Sequence, residues 1–221
     1  MADVEDWLQD PLVKIEDRSY KSRKLKSSDD RQNDLWRGFH FATRLKLDGA
    51  DHFCRLALGA ASMPHDLGLP LLAHRQIEWY LGAFFFELMS AYDTALQELN
   101  IVYASDLALK PEDVSWHKIR SKLPNTLAKY IEDERKKDWF CEVRSHRNLA
   151  THHYIVPLGS IKAGFGDKPW DYSEHEVSIY CLDNAGETKK KKISVCPTYL
   201  NKMVEHIHKV WTEMAQEFQQ E

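Results

Sequence analysis

Residues 69–99, LPLLAHRQIEWYLGAFFFELMSAYDTALQEL, decide the fold. Ile77, Leu81, Phe84, Leu88, Ala91 and Ala95 recur every three or four positions, the period of an α-helix. Trp79, Tyr80, Phe85 and Phe86 carry the apolar arc almost around the circle, which predicts a buried, central helix. Glu87 stands inside that stretch, so it must reach the edge or find a cationic partner. Upstream, MPHDLGLP at 63–70 is a break with two prolines and a glycine. Before it, a helix is expected from a cap at Ser28-Asp29-Asp30 to about Ala61. Its stripe is Trp36, Phe39, Thr43, Leu47, Ala50, Phe53 and Ala57, and Gly49 marks an expected bend.

Downstream of a Pro111 turn, Glu112–Lys122 and Pro124–Lys137 read as two short helices or one kinked helix, Pro124 suiting a first turn. The segment DWFCEVRSHRNLATHHY continues as helix and stops near Pro157. Residues 157–171 form a loop whose GFGDKP lacks the GK[ST] ending of a phosphate loop. HEVSIYCLD alternates Val177, Ile179 and Cys181 with polar neighbours, Asn184-Ala185-Gly186 supplies a turn, and TKKKKISVC returns with Ile193 and Val195. The Lys189–Lys192 run on that returning strand can grip phosphate, but protection of a sheet edge is the favoured reading. Pro197 opens a last helix with Leu200, Val204, Ile207, Trp211 and Met214 on one face. The expected architecture is all-α, an antiparallel helical bundle with a small β-hairpin insertion before the C-terminal helix.

With 221 residues and a net charge of −4, the chain is no protein that coats nucleic acid by bulk charge. Its 43% apolar residues suffice for a core, and no apolar run approaches the ~18 residues of a membrane span. The start, MADVEDWLQDPLVK, is acidic and lacks a signal-peptide apolar stretch, and the four cysteines have no CxxC spacing. A cytoplasmic chain with reduced thiols, no cofactor and no membrane partner is expected. Residues 1–30 read as a basic lead-in, carrying Arg18, Lys21, Arg23, Lys24 and Lys26 just before Arg31, more a solvated tail than a phosphate-binding arm. Residues 31–221 read as a single bundle with the 157–196 loop and hairpin inserted.

Polar chemistry concentrates at Arg144-Ser145-His146-Arg147-Asn148-Leu149-Ala150-Thr151-His152-His153-Tyr154, held upstream by Trp139, Phe140 and Val143. Within it, Arg147, His152 and Tyr154 reproduce the RX4HxY pattern, and Asn148 fits the RNxxxH form of it. An Arg–His spacing alone arises by chance in a chain with 11 histidines; the tyrosine two places on makes the pattern more specific. On these residues the chain resembles the HEPN (higher eukaryotes and prokaryotes nucleotide-binding) family. The resemblance implies an all-α bundle, often a homodimer, whose active members are metal-independent endoribonucleases of defence or toxin type. It implies that Arg147 clamps phosphate, that His152 is the general acid or base, and that Asn148 orients one of them. Tyr154 would bind substrate, with Arg144 and His153 beside it. In toxin–antitoxin members the corresponding tyrosine receives a nucleotide from a partner protein. RNA or nucleotide, a second copy and an antitoxin or regulatory protein are thus the partners implied. The alternative function is a non-catalytic helical module that binds nucleic acid or protein.

The residue types suit the chemistry. An imidazole near its ordinary pKa moves protons at neutral pH, and a guanidinium holds two phosphate oxygens. Spacing sets a condition. On an ideal helix Arg147 and His152 point about 140° apart, whereas Asn148 and His152 share a face and Arg147 and Tyr154 nearly do. Either the helix ends near Thr151 and turns His152 back, or the site is shared across a two-fold dimer. Arg147 pairing with Glu87 or Glu142, and His152 and His153 capping the helix, are the structural alternatives. Glu205-His206-Ile207-His208 contains one ExxH, but a di-iron bundle needs two. Cys141 shares a face with Ser145, not with a histidine base.

Overall fold

A computed structural model describes residues 30–62, 70–103, 110, 113–153, 177–183 and 185–219, with backbone alone at 30–33, 70–74, 149–153 and 216–219. The basic lead-in up to Asp29, the 157–171 loop, Asn184 and Tyr154 lie outside the described residues. The described residues form helices α1 (Asp30–Ser62), α2 (Pro70–Tyr103), α3 (Trp116–Ile119), α4 (Asn125–Arg135), α5 (Asp138–His153) and α6 (Cys196–Gln219). Strands β1 (Ser178–Leu182) and β2 (Thr188–Lys192) pair antiparallel between α5 and α6. The chain is all-α with a small two-stranded sheet before its last helix, as the periodicity predicts.

The helical stripes bury as their spacing requires. Trp36, Thr43, Leu47, Ala50 and Ala57 are covered on α1, and Leu200, Ile207, Trp211 and Met214 on α6. On α2 the stripe from Ile77 to Leu99 is covered, but Trp79 is 71% exposed and Phe86 45%. The expectation that α2 is buried nearly all round is therefore corrected. Trp79 and Phe86 are seven residues apart on the side away from the stripe, and an apolar side chain does not itself supply a partner to cover it. Helix α1 runs on as helix through Gly49. A Cβ there would stand 3.3 Å from Glu87 Cγ, so the glycine makes room for Glu87, whose carboxylate meets Lys46 Nζ at 2.8 Å.

Between α2 and α4 the helix expected over Glu112–Lys122 shrinks to α3 and a 3₁₀ turn at Arg120–Lys122. The turn ends at Leu123, which is extended (φ −85°, ψ 153°) because the following Pro124 disfavours helical backbone in its predecessor. Pro124 then stands at the head of α4, its carbonyl accepting the Ala128 N–H at 2.9 Å.

Two compact units divide the chain, and α1, α2, α4 and α6 contribute to both. The first comprises residues up to Thr43, Tyr92–Glu132 and Met203 onward. At its heart, fully buried Glu98 accepts from the Thr43 hydroxyl at 2.6 Å and bonds His40 Nδ1 at 3.0 Å. His40 lies between the rings of Trp36 and Trp211, at 4.7 and 4.3 Å between centroids. Trp116 Nε1 donates to Glu132 at 2.7 Å, and His206 stacks with Tyr92 and Tyr130. Glu98 and Trp116 thus find partners, while among the described residues His40 Nε2 and Trp211 Nε1 have no hydrogen-bond partner.

The second unit comprises Arg44–Ala91 and Asp133–Lys202 and holds α5 and the hairpin. Its sheet register sets Ile179 opposite Lys191 and Cys181 opposite Lys189. The hairpin turn is built on Asp183, whose Oδ1 accepts the N–H groups of Ala185 and Glu187 at 2.9 Å each. Those bonds, led by the one from Glu187, hold the Asp183 carboxyl below its usual pKa. Gly186 occupies the left-handed region at φ 79°, where a side chain is strained.

Candidate active site at the end of α5

Helix α5 begins at Asp138, after a turn in which Lys137 O accepts the N–H groups of Phe140 and Cys141 at 3.1 and 3.2 Å. Its first turns are anchored: Trp139, Phe140, Cys141, Glu142, Val143 and His146 are all buried. Arg144 is exposed, Arg147 is half-buried and Asn148 is exposed, so the arginines and the asparagine lie at the surface end of a firmly held helix. The helix continues through His153, which removes the option that it ends near Thr151 and turns His152 back. Arg147 and His152 therefore lie five residues apart on one continuous helical backbone. The side chains of His152 and His153, and the whole of Tyr154, lie outside the described residues.

His146, a third histidine of the run, belongs to the core. Its ring is fully buried and lies flat on Phe85, with centroids 4.2 Å apart and planes inclined by 15°. Among the described residues neither ring nitrogen has a hydrogen-bond partner. Burial pushes its pKa down to about 3, so the ring stays neutral at physiological pH and takes no part in proton transfer.

The anchor also contains a polar cluster that the sequence does not reveal as a unit. Glu142, 4% exposed at its side chain, accepts from the Tyr199 hydroxyl at 2.6 Å and meets Lys191 Nζ of β2 at 3.2 Å. Burial and then the Glu142 bond raise the Tyr199 pKa far above that of an ordinary phenol. The Leu182 N–H at the end of β1 donates to Ser145 Oγ at 3.3 Å. The hairpin is thus fastened to α5 at two levels, one residue from Arg144 and two from Arg147. The signal that could have disclosed Glu142 is a carboxylate on the His146 face of the apolar run WFCEV. Glu142→Ala strands the Tyr199 hydroxyl and the Lys191 ammonium. It is expected to cost on the order of 3 kcal/mol, and Glu142→Gln about half of that, by urea unfolding.

Of the carboxylates considered as structural partners of Arg147, Glu87 pairs with Lys46 and Glu142 with Lys191. All four cysteines are free and buried, and burial raises each thiol pKa, to about 12 for Cys54 and about 11 for Cys181. Such thiols are protonated at neutral pH and are poor nucleophiles. Inside the ExxH formed by Glu205 and His208, the intervening His206 is buried against Tyr130, its Nδ1 3.3 Å from the phenol oxygen. Among the described residues no three His, Cys, Asp or Glu gather as a metal site, and no helix is long and apolar enough to cross a membrane.

A family model described as Cthe2314-like HEPN matches residues 70–216. The match takes in α2 to α6 and, with them, α5 and the hairpin, while α1 precedes it. No curated protein and no solved structure matches the chain.

Proposed function

The chain belongs to the HEPN family, and from that premise we propose that it is a metal-independent endoribonuclease of defence or toxin type. The observation that carries the proposal is the end of α5: an unbroken helix, fixed by its buried half, with Arg147 and Asn148 on its emerging half and His152 one turn beyond. In the proposed reaction a ribose 2′-oxygen attacks the adjacent phosphorus while the bond from phosphorus to the 5′-oxygen breaks. The products are a 2′,3′-cyclic phosphate and a 5′-hydroxyl. The 2′-hydroxyl proton passes to the His152 imidazole, and the leaving oxygen takes a proton from a water molecule, whose hydroxide His152 then reprotonates. Arg147 holds the non-bridging oxygens as their charge grows. Asn148, on the His152 face, orients that ring, and Arg144, His153 and Tyr154 bind the strand.

Because Arg147 and His152 diverge on one helix, the working site is a homodimer in which a two-fold axis brings both α5 ends to one cleft. Tyr154 is then also the residue by which a cytoplasmic partner, an antitoxin or regulator, would silence the enzyme. The test is incubation of the purified chain with a mixed RNA pool in EDTA. Fragments ending in cyclic phosphate are expected. An intact pool under all conditions sinks the proposal and leaves a binding module.

A further inference from the structure

The face of α2 that stays uncovered has an order of its own. Arg75, Trp79, Ala83, Phe86 and Ser90 follow one another at steps of three or four residues and so line one side of the helix. Trp79 is 71% exposed and Phe86 45%, while Gly82 and Ala83 between them are half-buried. The Lys46 ammonium of α1 lies 5.7 Å from the centre of the Phe86 ring, and its neighbour Leu45 is 51% exposed. Aromatic side chains of this kind present about 150–250 Å² each, so Trp79 and Phe86 leave about 250 Å² of ring surface uncovered. A stable interface takes about 800 Å² from each partner, a little over half of it apolar. The two rings and Leu45 supply most of that apolar share. Phe85, the residue before Phe86, points instead into the core and lies flat on His146. The end of α5 that carries Arg147 and Asn148 therefore starts beside the same turn of α2.

We propose that this face of α2 docks a second copy of the chain, antiparallel, with a two-fold axis passing beside Gly82 and Ala83. The occupant follows from the pattern. Gly82 and Ala83 lie midway between Trp79 and Phe86, so an antiparallel copy crossing there sets each Trp79 against the other copy's Phe86. Small residues at the crossing let the two backbones approach, and the aromatic pairs on either side cover one another. The charges agree with the same crossing. Arg75 falls opposite Ser90 of the second copy, so like charges do not meet. Lys46, already against Phe86, comes beside the second copy's Trp79, a cation next to a ring face. The surface gives the homodimer of the proposed nuclease its contact, and only that link rests on the nuclease reading. With the axis beside Ala83, both α5 ends start at the height of the crossing, because each is held there by His146 on Phe85.

Sedimentation equilibrium of the full chain, without RNA, tests the surface. The parent is expected to be a dimer, and Trp79→Glu with Phe86→Glu to raise its dissociation constant at least about a hundredfold. Phe41→Glu, at a ring 60% exposed on α1 in the other unit, should leave the dimer intact. Cross-linking reads the crossing separately, in chains whose rings are unaltered, and decides the matter alone if the glutamate variant fails to fold. Ala83→Cys places a thiol beside the axis and should join two copies through a short bis-maleimide, since the four native cysteines are buried. Arg75→Cys places its thiol about 22 Å from its counterpart along the paired helices and should not. A monomeric parent overturns the proposal and leaves the face to a different partner. A dimer that tolerates both glutamates, that Phe41→Glu breaks equally, or that is joined through Arg75→Cys and not Ala83→Cys overturns it as well. Failure of the nuclease reading is separate: a dimer with the expected properties that never cuts RNA refutes catalysis and leaves the surface standing. Cleavage by a chain that stays monomeric does the reverse.

Discussion

If the proposed nuclease reading holds, Arg147→Ala and His152→Ala are each expected to lower RNA cleavage by about 10²–10⁴-fold while the chain remains folded. The magnitude follows from what each group does. A positioned imidazole contributes by moving a proton in the transition state, and the guanidinium contributes by meeting charge that grows on phosphate oxygens. Lysine in place of Arg147 restores charge without the two-pronged geometry, and so recovers only part of the rate. The dimeric arrangement predicts a further result that a one-chain site does not. If Arg147 of one copy works with His152 of the other, each inactive variant retains what its partner lacks. Mixing the two and allowing subunits to exchange should then restore roughly a quarter of wild-type activity, since about half of the dimers are mixed and each has one intact site. Cleavage unaffected by His152→Ala refutes the role given to that histidine. Full-strength dead variants that never complement refute the shared site, and leave the nuclease assignment to the single-variant rates.

The second large effect concerns stability against pH. His146 is neutral in the folded chain because its pKa is pushed down to about 3, whereas in the unfolded chain it takes up a proton near its ordinary 6.5. Between those values the unfolded state binds more protons, so folding stability falls as the pH falls through this window and is fully present above it. The shift corresponds to a loss of up to about 4–5 kcal/mol by pH 3, enough to unfold a domain of ordinary stability. His146→Leu removes the titrating group together with two buried nitrogens that lack partners. Its stability at pH 7 should stay within about 2 kcal/mol of wild type, and the difference between the two proteins should grow in the variant's favour as the solution is acidified. Urea midpoints at a series of pH values check this, with parallel curves as the result that refutes it. The pH–rate profile of cleavage, by contrast, should not carry His146 at all. It is buried flat against Phe85.

That contrast shows how far the residues alone can be read. The helical period of α1, α2 and α6 and the alternation of β1 are local properties. They decide which face of each element is apolar before any partner is known, and the covered side chains match them. The resemblance of Arg147, Asn148, His152 and Tyr154 to the HEPN pattern is likewise a matter of spacing, and the family match over residues 70–216 agrees with it. His146 could not be separated from that group by spacing. Whether a histidine faces core or cleft depends on what another helix presents to it, and here Phe85 presents a ring at 4.2 Å. The same holds for Gly49, beside which the tertiary structure sets the Glu87 side chain.

The sequence by itself determined the helical class, the place of the hairpin and the residues that carry the family's pattern, because all of these follow from periodicity and order along one chain. Tertiary structure alone decided that Trp79 and Phe86 face outward, that Glu142 joins Tyr199 and Lys191, and that Lys189 and Lys191 share one face of the hairpin and reach carboxylates. Burial and charge pairing depend on atoms brought together from distant positions, and no local pattern records which surface will meet which.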